Sequence, residues 1–107
     1  MRIKVNQPLR KIDGEKIYKE ILKDGKVVET KDEFLLKDAC VNALLANDDK
    51  ITEGVEKMKR YLLASKIQQA KELELKSEEI VMIKEAVGKN YGALIVGQVY
   101  QMLEKND

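Results

Sequence analysis

Histidine and tryptophan are absent from this sequence, and cysteine, proline and phenylalanine occur once each. The missing histidine removes the usual general base, the nucleophile–His pair and, with one cysteine only, the common Cys/His zinc sites. Cys40 has no partner for an internal disulfide, and the opening MRIKVNQPL has no long apolar core of the signal-peptide kind. Both features point to a reducing cytoplasm. Long apolar runs are missing as well: the longest near the C-terminus is ALIV at 93–96, far short of the roughly 20 residues that span a bilayer. A membrane anchor is therefore not expected. An excess of one charge is also lacking. Lys and Arg number 20 against 19 for Asp and Glu, so no net field draws the chain to nucleic acid or to anionic lipid.

Glycines stand scattered at 14, 25, 54, 88, 92 and 97, with neither the spacing of a phosphate-binding loop nor that of a dinucleotide fingerprint. Asp48, Asp49 and Glu53 do not fall in the register of an EF-hand loop, so a solvated loop is expected there. No catalytic residue, metal ligand or cofactor contact emerges, and the protein is expected not to be an enzyme.

The 107 residues suffice for a single domain with its own core. Hydrophobic residues at 44% and charged residues at 36% describe a folded chain with a heavily charged surface. Strand signals fill the first third: IKV at 3–5, an Asp13-Gly14 turn, KIYKEIL at 16–22 and KVVET at 26–30. Gly25, preceded by Asp24, suits the positive φ of a three-residue hairpin loop. Ile17 and Ile21 lie on one side of the first arm, Tyr18 and Leu22 on the other, which predicts that both hairpin faces are covered. Residues 1–37 hold ten basic against seven acidic side chains, an excess of the kind that discourages edge-to-edge pairing.

From Phe34 onward the period becomes helical. LLKDACVNALLAN sets Leu36, Cys40, Val41, Leu44 and Leu45 on one stripe, where Cys40 acts as a small buried hydrophobe. Thr52 stands as the cap of a long second helix whose buried side is read as Val55, Met58, Tyr61, Leu62 and Ile67. Lys57, Lys59, Arg60 and Lys66 on that helix, interleaved with Glu53 and Glu56, form a solvated face. Leu73 and Leu75 alternate in an extended link. Ser77 offers an N-cap for a third helix with Glu78 and Glu79 in its first turn, and Gly88 a left-handed C-cap. A last helix runs from about Tyr91 to Glu104. Gly97 within it suggests a close helix–helix approach. That helix carries no Arg, and its sole Lys, Lys105, stands at its end, so it cannot read bases.

These elements predict an α+β fold, an N-terminal β-hairpin (region 1–34) packed on a bundle of about four α-helices (region 35–107), all within one domain, 1–107. On the last helix, Val96, Val99, Tyr100 and Leu103 form one stripe, and Ile95 and Met102 widen it beyond a single seam. Tyr91, Ile95, Gln98 and Met102 are the candidate interface for a protein partner or a second copy in a homodimer.

The segments IKVNQPL, LLKDACVNALLAN, KMKRYLLASKI and LKSEEIVMIKEAVGKNYGALIVGQVYQMLE together resemble small proteins encoded by tailed phages and prophages, a likeness that covers most of the chain. It implies a non-enzymatic accessory protein of a bacterial host's cytoplasm, acting in virion assembly or by binding a host protein. The alternative from another class is a nucleic-acid-associated regulator using the basic hairpin. A gel shift at low salt separates the two: balanced charge gives little counterion release, so no tight, sequence-dependent complex with DNA or RNA is expected.

Overall fold

The order of elements follows directly from where the hydrophobic period changes. The computed structural model describes residues 1–104; Lys105 lies outside them. A short strand β1 (Arg2–Lys4) is followed by β2 (Tyr18–Lys23), β3 (Lys26–Glu33), α1 (Leu36–Leu45), α2 (Gly54–Gln69), β4 (Glu72–Glu74), α3 (Ser77–Asn90) and α4 (Ala93–Glu104). The fold is α+β as expected, with four helices and two small antiparallel sheets among the described residues.

The hairpin β2–β3 turns on Asp24 and Gly25, both at positive φ (53° and 76°). Lys23 pairs with Lys26, so the loop has two residues rather than three. Positive φ at both central positions matches the twist of the flanking strands, which is why Asp-Gly serves here. The hairpin joins the body at its base. Phe34 donates its N–H to the Ile17 carbonyl and accepts from Leu9, Ile17 and Phe34 pack on the core, and Lys19 meets Asp38 at 3.1 Å. Its far end stands clear of the body on both faces, against the sequence expectation of cover.

The second sheet was not legible locally. Leu73 in the presumed link belongs to β4, which pairs with β1: Arg2 opposite Glu74, Ile3 opposite Leu73 and Lys4 opposite Glu72. Ile3, Leu73 and Leu75 point inward, and the outward pairs are of opposite charge, with Arg2 Nε 2.7 Å from Glu72.

The core takes Val5 and Leu9 from the N-terminal segment and Leu36, Ala39, Cys40, Ala43 and Leu44 from α1. Leu63, Ala64 and Ile67 of α2, Ile83, Ala86 and Val87 of α3, and Val99 and Leu103 of α4 close around them. Leu45, read as core, is exposed.

Helix starts differ from expectation in a consistent way. α1 and α3 each turn a carboxylate of the third residue back onto the N–H before the helix: Asp38 accepts from Leu35 at 2.8 Å, and Glu79 from Lys76 at 2.8 Å. This is the return half of a capping box. Ser77 is therefore inside α3, and Thr52 lies outside α2, whose cap position is Glu53.

Gly88 does not terminate α3; the helix runs two residues further. Its missing side chain instead admits Tyr100 of α4, whose hydroxyl would lie 2.8 Å from a Cβ at that position and donates to the Lys84 carbonyl at 2.7 Å. Gly97 has open space where a Cβ would stand, so the close approach expected there occurs at Gly88. Gly88→Ala should thus show little net gain, because the helix preference of roughly 1 kcal/mol is offset by displacing Tyr100. In a Tyr100→Phe background the same change should stabilise the fold by about 0.5–1 kcal/mol, read as the coupling in a double-mutant cycle of denaturant melts.

Candidate functional site

At about 100° per helical residue, Leu63, Ala64 and Ile67 cluster on the side of α2 that meets α1, together with Arg60. Val55, Met58, Tyr61 and Leu62 fall on roughly the opposite side and are between 55% and 65% exposed. The stripe read from the sequence as the buried side of α2 is, apart from Ile67, its outer surface. Both sets fit a helical period, and the denser apolar stripe drew the assignment; the true core side holds a small Ala and an Arg, which hid it.

The outer stripe covers two turns of helix. Leu62 carries it to a cleft between α2 and α3 that Leu63 and Met82 floor and Lys59, Lys66, Lys76 and Glu79 rim. Two of the rim lysines are paired within the protein, Lys59 with Glu56 at 3.3 Å and Lys66 with Glu79 at 3.2 Å. Large apolar side chains beside a partly paired charged rim form the kind of surface that protein partners cover.

The candidate interface residues sit differently, and the last helix begins at Ala93, so that Tyr91 caps α3 instead of opening α4. Tyr91 is half-buried, its ring tilted against Phe34 at a centroid distance of 6.1 Å. Burial pushes its phenol up from the ordinary value. Gln98 accepts from the Arg10 N–H at 2.7 Å and donates to the Arg10 carbonyl at 2.7 Å, tying α4 to the N-terminal segment as a strand would. Ile95 and Met102 are half-buried and pack on the core. The helix brings Ile95, Gln98 and Met102 to one side, where Gln7 and Gln101 border Met102. Most of their surface serves the protein's own interior.

Arg60 is not a solvated charge. It is 7% exposed, with its guanidinium 4.0 Å from Asp48, whose carboxylate takes the Lys89 ammonium at 2.8 Å and the Lys50 N–H at 2.9 Å. Asp48 thus links the α1–α2 loop to α2 and α3, and the cluster accounts for a carboxylate the sequence assigned to solvent. Among the described residues no group of three or more His, Cys, Asp and Glu side chains could hold a metal ion. Cys40 is buried, and burial pushes its thiol up to about 12, leaving it a neutral packing residue. No helix among the described residues is long and apolar enough to cross a membrane.

Comparison of the chain with protein-family models, with curated proteins and with solved structures finds no match.

The hydrogen bonds from Lys89 and Lys50, with the charges of Lys89 and Arg60, hold the Asp48 carboxyl below the ordinary carboxylate value. A depressed folded-state value means the group stabilises the fold above its unfolded value, and this contribution is lost as pH falls through the folded one. Asp48→Asn should therefore lower the melting temperature at neutral pH, and the gap from wild type should narrow as the solution is acidified below the carboxylate range.

Proposed function

We propose that the protein is a non-enzymatic interaction module, a phage- or prophage-encoded accessory protein that docks a protein partner through the outer face of α2. The observation that carries this reading is the stripe Val55, Met58, Tyr61 and Leu62, four large side chains turned to solvent on a helix whose other side already fills the core. Exposing them gains the monomer nothing, since each buried apolar side chain is worth roughly 1.5–3 kcal/mol when removed from water. The two lysine–glutamate pairs on the rim support the same reading, because there a docking partner meets charges already compensated within the protein. The resemblance to small phage proteins adds the setting, virion assembly or capture of a host protein in the bacterial cytoplasm.

The test compares two sides of one helix. Leu63→Ala should cost roughly 2–5 kcal/mol in a denaturant melt, as core truncations do. The pair Met58→Asp and Leu62→Asp should stay within about 0.5 kcal/mol of wild type, as exposed changes do, while abolishing capture of a partner that the wild type retains from host or phage lysate. Equal loss of stability from both sides would mean that the stripe is folded over in solution. Capture that survives the double aspartate variant would remove α2 as the docking face.

A further inference from the structure

The far end of the hairpin has a charge pattern that a solvated turn does not need. Its register sets Glu20 opposite Glu29, Ile21 opposite Val28, Leu22 opposite Val27 and Lys23 opposite Lys26. Opposed residues share a face of a sheet and successive residues alternate. One face therefore presents Ile21 and Val28 with Lys23 and Lys26, and the other Leu22 and Val27 with Glu20 and Glu29. The four apolar side chains are between 40% and 75% exposed, and the sheet has no third strand. Among the described residues none of these four charges takes part in an ion pair.

Two costs are left standing in the monomer. Like charges directly opposite one another weaken a strand pair, and here both charged pairs are like-signed. An apolar pair on each face also stays wet, whereas a free-standing hairpin ordinarily keeps one face polar. A single arrangement removes both costs, since each face is the complement of the other: apolar pair against apolar pair, two lysines against two glutamates.

We propose that the basic face of this hairpin stacks on the acidic face of the hairpin of a second copy. The occupant is another copy of this chain because the chain carries both the surface and its charge complement within eight residues of paired strand. A two-fold arrangement with parallel strands would set lysines on lysines or glutamates on glutamates, and one with antiparallel strands would leave each charged pair without a counter-charge, so the contact joins two different patches. Such a heterologous contact leaves one face of each terminal copy open and extends with concentration to a ring or a filament. The proposal deepens the interaction reading by naming one partner, and it stands on a surface separate from α2.

Sedimentation velocity and light scattering on the full chain test it. The wild type should gain mass with concentration and lose it with added salt, because the lysine–glutamate contacts are screened. Glu20→Lys with Glu29→Lys makes both faces basic, and Lys23→Glu with Lys26→Glu makes both acidic. Each variant exchanges one like-charged pair for another, so circular dichroism should remain that of wild type. Either variant alone should associate at least about tenfold more weakly, and an equimolar mixture of the two should recover association. A wild type that stays monomeric at every concentration, a single-sign variant that associates as well as wild type, or a mixture that fails to recover would overturn the proposal. Met58→Asp with Leu62→Asp should leave this self-association unchanged; its loss there would assign the contact to α2 and overturn hairpin stacking. Absence of self-association would leave docking of a different partner on α2 standing on its own test.

Discussion

The burial of one face of α1 is the constraint to which the other elements conform. Ten residues long, it places Leu36, Ala39, Cys40, Ala43 and Leu44 out of solvent, with α2 and α3 packed against it. Ala39 and Ala43, with Ala64 of α2 and Ala86 of α3, keep these surfaces shallow and let the backbones approach. That buried face satisfies one side of each neighbour. Whatever apolar surface those neighbours carry elsewhere is left for something else to cover, and on α2 that surface holds Val55, Met58, Tyr61 and Leu62.

Polar side chains then fix the loops around this centre with few contacts of long sequence separation. Asp48 joins the α1–α2 loop to Lys89 and faces Arg60, Gln98 clamps α4 to Arg10, and Tyr100 fills the space opened by Gly88. These ties account for several residues that resemble functional ones by type. A buried Arg, a perturbed Asp, a raised Tyr and a raised Cys each have a structural partner or a structural cause, and what is left without one is the outer stripe of α2 and the two faces of the hairpin tip.

Much of the architecture was legible from residue order. The Asp24-Gly25 turn, the change of period at Phe34, the four helices and the burial of Cys40 all rest on local rules, namely the φ a turn requires, the spacing that makes a helical stripe and the preference of a lone thiol for apolar surroundings. Element ends were less legible: Ser77 and Thr52 are cap residues by type, but Glu79 reaches back to do that work in α3, and α2 begins at Glu53 with no side chain capping it. Of the candidate interface on α4, the apolar width was visible, but the share of it turned inward was not.

By itself, then, the sequence determined the class of fold, the position of its hairpin turn and the absence of histidine and of a second cysteine, because each depends on residue type or on neighbours a few positions apart. The tertiary structure alone decided that β1 pairs with β4 across some 70 residues, that Gly88 rather than Gly97 receives a neighbouring helix, and which of two helical stripes on α2 lies inside. Periodicity states that a helix has an apolar side. Only packing against α1, where small side chains admit the closest approach, selects the side with Leu63, Ala64 and Ile67 and turns Val55, Met58 and Leu62 to the outside.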